Sequence, residues 1–148
     1  MSRQRLPPKA AIAPPLLAKL TELNLSSAQL LEDFLEWKSS DEEDSSYFFA
    51  KDGLNRGSKH LAHAHILPTV SADRAAWDFA YERFRKRTSD RYLFYVDGGF
   101  SYGYLLLDIV ADPGAHAVWD THPNNMKALE AAAEAFFFHG SVPEREAP

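Results

Sequence analysis

Two histidines separated by a single alanine, His63 and His65 in the run KHLAHAHIL (59–67), are the sharpest chemical feature of the chain. The run alternates, so on a β-strand Ala62, Ala64 and Ile66 face one side. Both imidazoles then project from the other side, about 7 Å apart. Three chemistries suit such a pair. A metal site would resemble the HxH pairs of metal-dependent hydrolases and would need a further ligand, which Asp97, Asp108 or His116 could supply. No second ligand motif stands at a diagnostic spacing, so the reading carried forward names no metal and no cofactor. A structural reading has the rings hydrogen-bonded within the fold. An acid–base reading rests on the unperturbed imidazole pKa of about 6.5, which allows proton transfer in either direction near neutral pH.

The acid–base reading needs cations beside it if the substrate is a phosphodiester. Cutting RNA without a metal takes a base for the 2′-OH proton, an acid for the departing 5′-oxygen, and donors for the charge gathering on phosphate. His63, His65 and His116 supply the first kind of group. Arg83, Arg85, Lys86, Arg87 and Arg91, crowded into residues 81–92 against only Glu82 and Asp90, supply the second. The arginine fork donates two hydrogen bonds to one phosphate. The plain alternative is a solvated helix face. Tyr92, Tyr95, Phe100, Tyr102 and Tyr104 lie nearby and could stack on unpaired bases, Tyr95 being the platform of choice, or could equally form cross-strand pairs. Asp108, inside an apolar run, must reach solvent or a basic partner. Phosphate loops of the GxxxxGK[ST] or GxGxxG type are absent, as are serine-nucleophile motifs.

The elements that would hold these groups follow from periodicity. Residues 1–15 carry four prolines and little pattern, which suggests a flexible arm. Leu16, Leu17, Leu20 and Leu23 have helical spacing. Ser26 and Gln29 form a capping box ahead of Leu30, Leu31, Phe34, Leu35 and Trp37, predicting a helix to about Lys38. The acidic and serine-rich stretch 39–46 suits an exposed loop. After the histidine strand, Ser71 can cap a helix whose Trp77, Tyr81 and Phe84 share a face, with Arg83 and Arg87 on its flank. RYLFYVD and YGYLLLDIVA read as a hairpin joined through Gly98 and Gly99. A last helix from about Asn125 to Phe138 stops at Gly140. The sum is an α+β domain over 16–140, a small antiparallel sheet flanked by helices, with a loose tail at 141–148.

Composition agrees with one folded domain. The 148 residues are 45% hydrophobic, 13% aromatic and 25% charged, enough to bury a core without staples. With no cysteine there can be no disulfide or thiolate site, which suits a reducing cytoplasm. No run approaches the roughly 20 apolar residues of a spanning helix, so no membrane partner is expected. The net charge of −5 argues against coating nucleic acid indiscriminately.

Five segments in order, FAKDGL (49–54), HLAHAHIL (60–67), RTSDRYLFYVDGG (87–99), YLLLDIVADPGAH (104–116) and NNMKALEAAAEAFF (124–137), resemble the YafO-type toxins of bacterial type II toxin–antitoxin systems. The resemblance implies a RelE-like fold and a ribosome-associated endoribonuclease that cuts mRNA and is silenced by a cognate antitoxin. It carries His63, His65 and His116 over as the histidines of interest, with Arg87 inside the matching RTSD. The chemistry then suggests His65 or His63 as base, His116 as acid, and Arg87 with Arg85 on the phosphate. Arg83, Lys86, Arg91 and Tyr95 are the expected substrate contacts. Two other readings stay open: a non-catalytic protein that binds an antitoxin or the ribosome through its basic helix, and a metal-dependent hydrolase using His63 and His65. This chain departs from the pattern in its longer proline-rich start and its acidic balance.

Overall fold

A computed structural model describes residues 9–40, 46–55, 58–110 and 123–143. In chain order these form β1 (Ala10–Ile12), α1 (Pro14–Leu20), α2 (Ser27–Ser39), β2 (Phe49–Leu54), β3 (Leu61–Ile66), α3 (Ser71–Glu82), β4 (Tyr92–Asp97), the single turn α4 (Gly99–Tyr102), β5 (Tyr104–Val110) and α5 (Pro123–His139). The architecture is α+β. Among the described residues one five-stranded sheet runs β1-β5-β4-β3-β2, antiparallel throughout except that β1 lies parallel to β5.

The alternation of β3 divides the protein into two cores. Ala62, Ala64 and Ile66 face α1 and α2, joining Leu16, Leu20, Leu30 and Phe34. Leu61 faces the other way, towards Met126, Ala133 and Phe136 of α5. Of the capping box that the sequence predicts, the Ser26 half is seen: Ser26 Oγ accepts the Gln29 amide at 3.3 Å, while the Gln29 side chain donates to Asp33 at 2.8 Å. The buried Leu30, Phe34 and Trp37 of α2 fall at helical spacing, and Phe34 meets Trp37, Phe49, Tyr95 and Tyr104 edge-on. Removing so central a ring would cost about 3–5 kcal/mol, because the transfer term and the cavity term add.

Several expectations need correction. Ala10–Ile12, within the segment read as an arm, is paired with Tyr104–Leu106, and the approach depends on Gly103. At φ +70, a Cβ on Gly103 would lie 2.5 Å from the Lys9 carbonyl oxygen. Strand β2 went unread because Asp52 and Gly53 interrupt its apolar pattern. Helix α3 starts at Ser71 itself, with Val70 at the cap position and no side-chain cap bond. That helix stops at Glu82, so Phe84 and Arg87 lie beyond it: Phe84 is 79% exposed instead of sharing the face of Trp77, and Arg87 is buried. Asp108 has the basic partner it required, Lys19 of α1 at 3.0 Å.

Candidate active site

The register of the sheet assembles the site. In the β3–β4 ladder His65 stands opposite Tyr92 and His63 opposite Phe94, while in the β2–β3 ladder His63 stands opposite Gly53. Directly opposed residues share a face, so the absent side chain of Gly53 leaves the space beside His63 open. The imidazole centroids are 5.7 Å apart. Tyr92 touches both rings, stacked on His63 (4.5 Å, 21°) and edge-on to His65 (4.7 Å, 67°). Asp52, Gly53, His63, His65, Thr88 and Tyr92 line a cleft of about 410 Å³, within the range of small-molecule sites.

His65 is buried and held by the backbone of Ser89. The Ser89 amide donates to Nδ1 at 2.8 Å, and the Ser89 carbonyl oxygen lies 2.9 Å from the same nitrogen. A neutral ring accepts from the amide and keeps its proton on Nε2; a protonated ring donates to the carbonyl instead. One backbone residue therefore accommodates both charge states. Ser89 is itself fixed, its one hydroxyl hydrogen lying within reach of the carbonyl oxygens of Ile66 (2.7 Å) and Arg91 (2.9 Å) and able to donate to either. Burial, reinforced by the charge of Asp90, pushes the Tyr92 phenol up to about 12, so it stays neutral beside the histidines.

Not every expected residue reaches this cleft. Arg87 is 2% exposed, and its guanidinium donates to the carbonyls of Tyr47 (2.8 Å), Ser46 (2.5 Å) and, more weakly, Phe49 (3.4 Å). It also lies over the rings of Trp77 and Tyr81. Arg91 is buried too and donates to the Leu67 carbonyl. Tyr95 belongs to the opposite core, where its hydroxyl donates to Asp52, the carboxylate that also pairs with Lys38 at 2.6 Å. Burial and that bond hold the Tyr95 phenol far above its usual range. Arg83, Arg85 and Lys86 are exposed on the segment that follows α3 and leads to Thr88 at the cleft. His116 lies outside the described residues.

Thr88 is a site member that the sequence does not single out, and Tyr92 stands there only among the aromatics that could stack on bases, not as the neighbour of the histidines. Pairing β3 with β4 would have placed Tyr92 on the histidine face, since Tyr92 and Phe94 alternate with Leu93. Among the described residues, no three His, Cys, Asp or Glu side chains converge as metal ligands. Asp97 accepts the Gly99 amide, and Asp108 is paired with Lys19. No helix among the described residues is long and apolar enough to cross a membrane.

The family model for toxin YafO of type II toxin–antitoxin systems matches residues 35–138. The chain belongs to the YafO toxin family. The matched span runs from the middle of α2 into the last turn of α5 and takes in the whole cleft of this YafO-family toxin. Searches of the curated proteins and of the solved structures each returned no significant match. Membership of a type II system implies an antitoxin protein as partner of the YafO-family toxin.

Proposed function

We propose that this type II toxin is a metal-independent endoribonuclease that cuts mRNA at the ribosome in the cytoplasm. The observation that carries the reading is the shared cleft: two imidazoles on one strand, braced by one tyrosine and opening beside a glycine. One imidazole takes the 2′-OH proton, O2′ attacks the adjacent phosphorus, and the bond from phosphorus to the 5′-oxygen breaks as an acid protonates that oxygen. The products are a 2′,3′-cyclic phosphate and a free 5′-hydroxyl. His65, whose Nδ1 has a backbone partner in either charge state, suits a residue that must change protonation during turnover. His63 or His116 completes the pair. Arg83, Arg85 and Lys86 hold the RNA, whereas Arg87, committed to backbone carbonyls, acts by positioning the approach to β2.

Induction of the toxin followed by mapping of mRNA 5′ ends tests this directly. New ends bearing 5′-hydroxyls are expected, elemental analysis of the purified toxin should find no stoichiometric zinc, manganese or iron, and His63→Ala and His65→Ala should each lower the rate by about 10² to 10⁴. Full-rate cutting by both variants would remove these residues from the chemistry. A stoichiometric metal in the purified toxin, whose removal before the toxin meets ribosomes abolishes cutting, would replace the mechanism with a metal-dependent one.

A further inference from the structure

Helix α3 ends in a hydrogen-bonding pattern that is normally built on glycine. The Arg85 amide donates to the Ala80 carbonyl (2.9 Å) and the Phe84 amide to the Tyr81 carbonyl (3.3 Å), the paired bonds of a Schellman cap. The residue at its left-handed position is Phe84, at φ +53. A bulky side chain there is strained, and glycine is the usual occupant. Burial offers no compensation, because the ring is 79% exposed. A strained backbone holding a large apolar ring in water points to a role outside folding.

Its surroundings say what the ring meets. Arg83, Arg85 and Lys86 flank it, against Glu82 alone, so residues 82–86 carry a net +2 (three cations less one anion) in a chain of −5. Phe79, half exposed on α3, carries the Arg83 guanidinium 3.7 Å from its ring centroid and Arg85 at 5.8 Å, which holds both cations on this surface. Two residues after Lys86 the chain reaches Thr88 at the histidine cleft. An exposed ring among guanidinium groups is the equipment for gripping a single strand, the ring stacking on a base and the cations taking the neighbouring phosphates.

We propose that Phe84, with Arg83 and Arg85, is a stacking site for an unpaired base of the RNA that enters the cleft; this rests on the ribonuclease reading above. The strain at Phe84 is the signature of that use and sets up an opposed pair of outcomes. Phe84→Gly should raise the melting temperature, because glycine adopts the left-handed cap without penalty, and should weaken binding of a 2′-O-methylated single-stranded RNA 12-mer by about tenfold or more. Phe84→Trp should preserve binding, and Phe84→Leu, apolar but not aromatic, should not. Neutralising Arg83 and Arg85 should flatten the salt dependence of binding. His65→Ala, by contrast, should act chiefly on the cutting rate, lowering it by about 10² to 10⁴.

Wild-type affinity in Phe84→Gly, with cutting intact, would overturn the stacking site and leave the ribonuclease reading standing. If the wild-type chain neither binds the probe nor cuts mRNA, both fall together. If Phe84→Gly loses the co-purifying antitoxin but keeps its RNA affinity, the surface belongs to a protein partner and the proposal is wrong.

Discussion

The imidazole of His63 lies almost parallel to the Tyr92 ring, 4.5 Å from it, while the same tyrosine presents itself edge-on to His65. A single aromatic side chain thus contacts both candidate acid–base groups, adding to the hold of the Ser89 backbone on His65. Each of its contacts belongs to a preferred aromatic geometry, so rotation of either imidazole sacrifices favourable packing.

Loss of that brace should be separable from loss of the phenol. Tyr92→Phe keeps the ring and is expected to cut mRNA within a few-fold of wild type. Tyr92→Ala removes the ring that stacks on His63 and abuts His65, and should lower the rate by about 10², the usual scale for misplacing reacting groups by an ångström. Single-turnover cleavage measured on both variants decides it, and equal rates would show that the tyrosine braces nothing.

Access to the cleft depends on Gly53, which faces His63 across the ladder and whose added Cβ would meet nothing within 4 Å. Gly53→Val should therefore fold normally and melt no lower than wild type, since valine favours the strand. Cutting should nonetheless fall, through a raised KM in the first place, as the branched side chain fills the mouth. A variant as active as wild type would mean that substrate enters elsewhere.

Arg87 makes the opposite prediction from a phosphate-binding residue. Arg87→Met strips hydrogen bonds from the carbonyls of Ser46 and Tyr47 and removes a cation from between Trp77 and Tyr81. It should destabilise the fold by about 2–4 kcal/mol in urea titration. The fraction still folded should bind the RNA 12-mer with wild-type affinity, which a phosphate contact would not allow.

Alkaline pH should unfold the protein partly through Tyr92. The phenol is raised from 10.0 to about 12 in the fold, so the unfolded chain loses this proton first. The stabilising contribution is whole below pH 10 and disappears as pH climbs through about 12. Urea midpoints followed across that window should decline less steeply in Tyr92→Phe than in wild type. Identical slopes would refute the shift.

What the sequence disclosed and what it hid divide along the range of the interactions. The cap at Ser26, the stripe of Leu30, Phe34 and Trp37, and the projection of His63 and His65 from one face of their strand are set by neighbours within a turn or two residues, and all could be read directly. Arg87 was misjudged because the carbonyls that hold it come from residues 46–49, some 40 positions earlier. An arginine's partner cannot be inferred from its own segment. Phe84 reads as sharing the helix face of Trp77 and Tyr81 because its spacing from them is helical, yet the helix ends two residues before it. Tyr92 became a site residue only through cross-strand register, information that no single strand carries.

The parallel pairing of β1 with β5 has a consequence for synthesis. Ala10 finds Tyr104, 94 positions later (104 − 10), so among the described strands the one that is made first waits for the one that is made last. Until β5 has emerged, Ala10–Ile12 has no strand to join, and the nascent toxin carries an unfinished sheet edge for most of its translation.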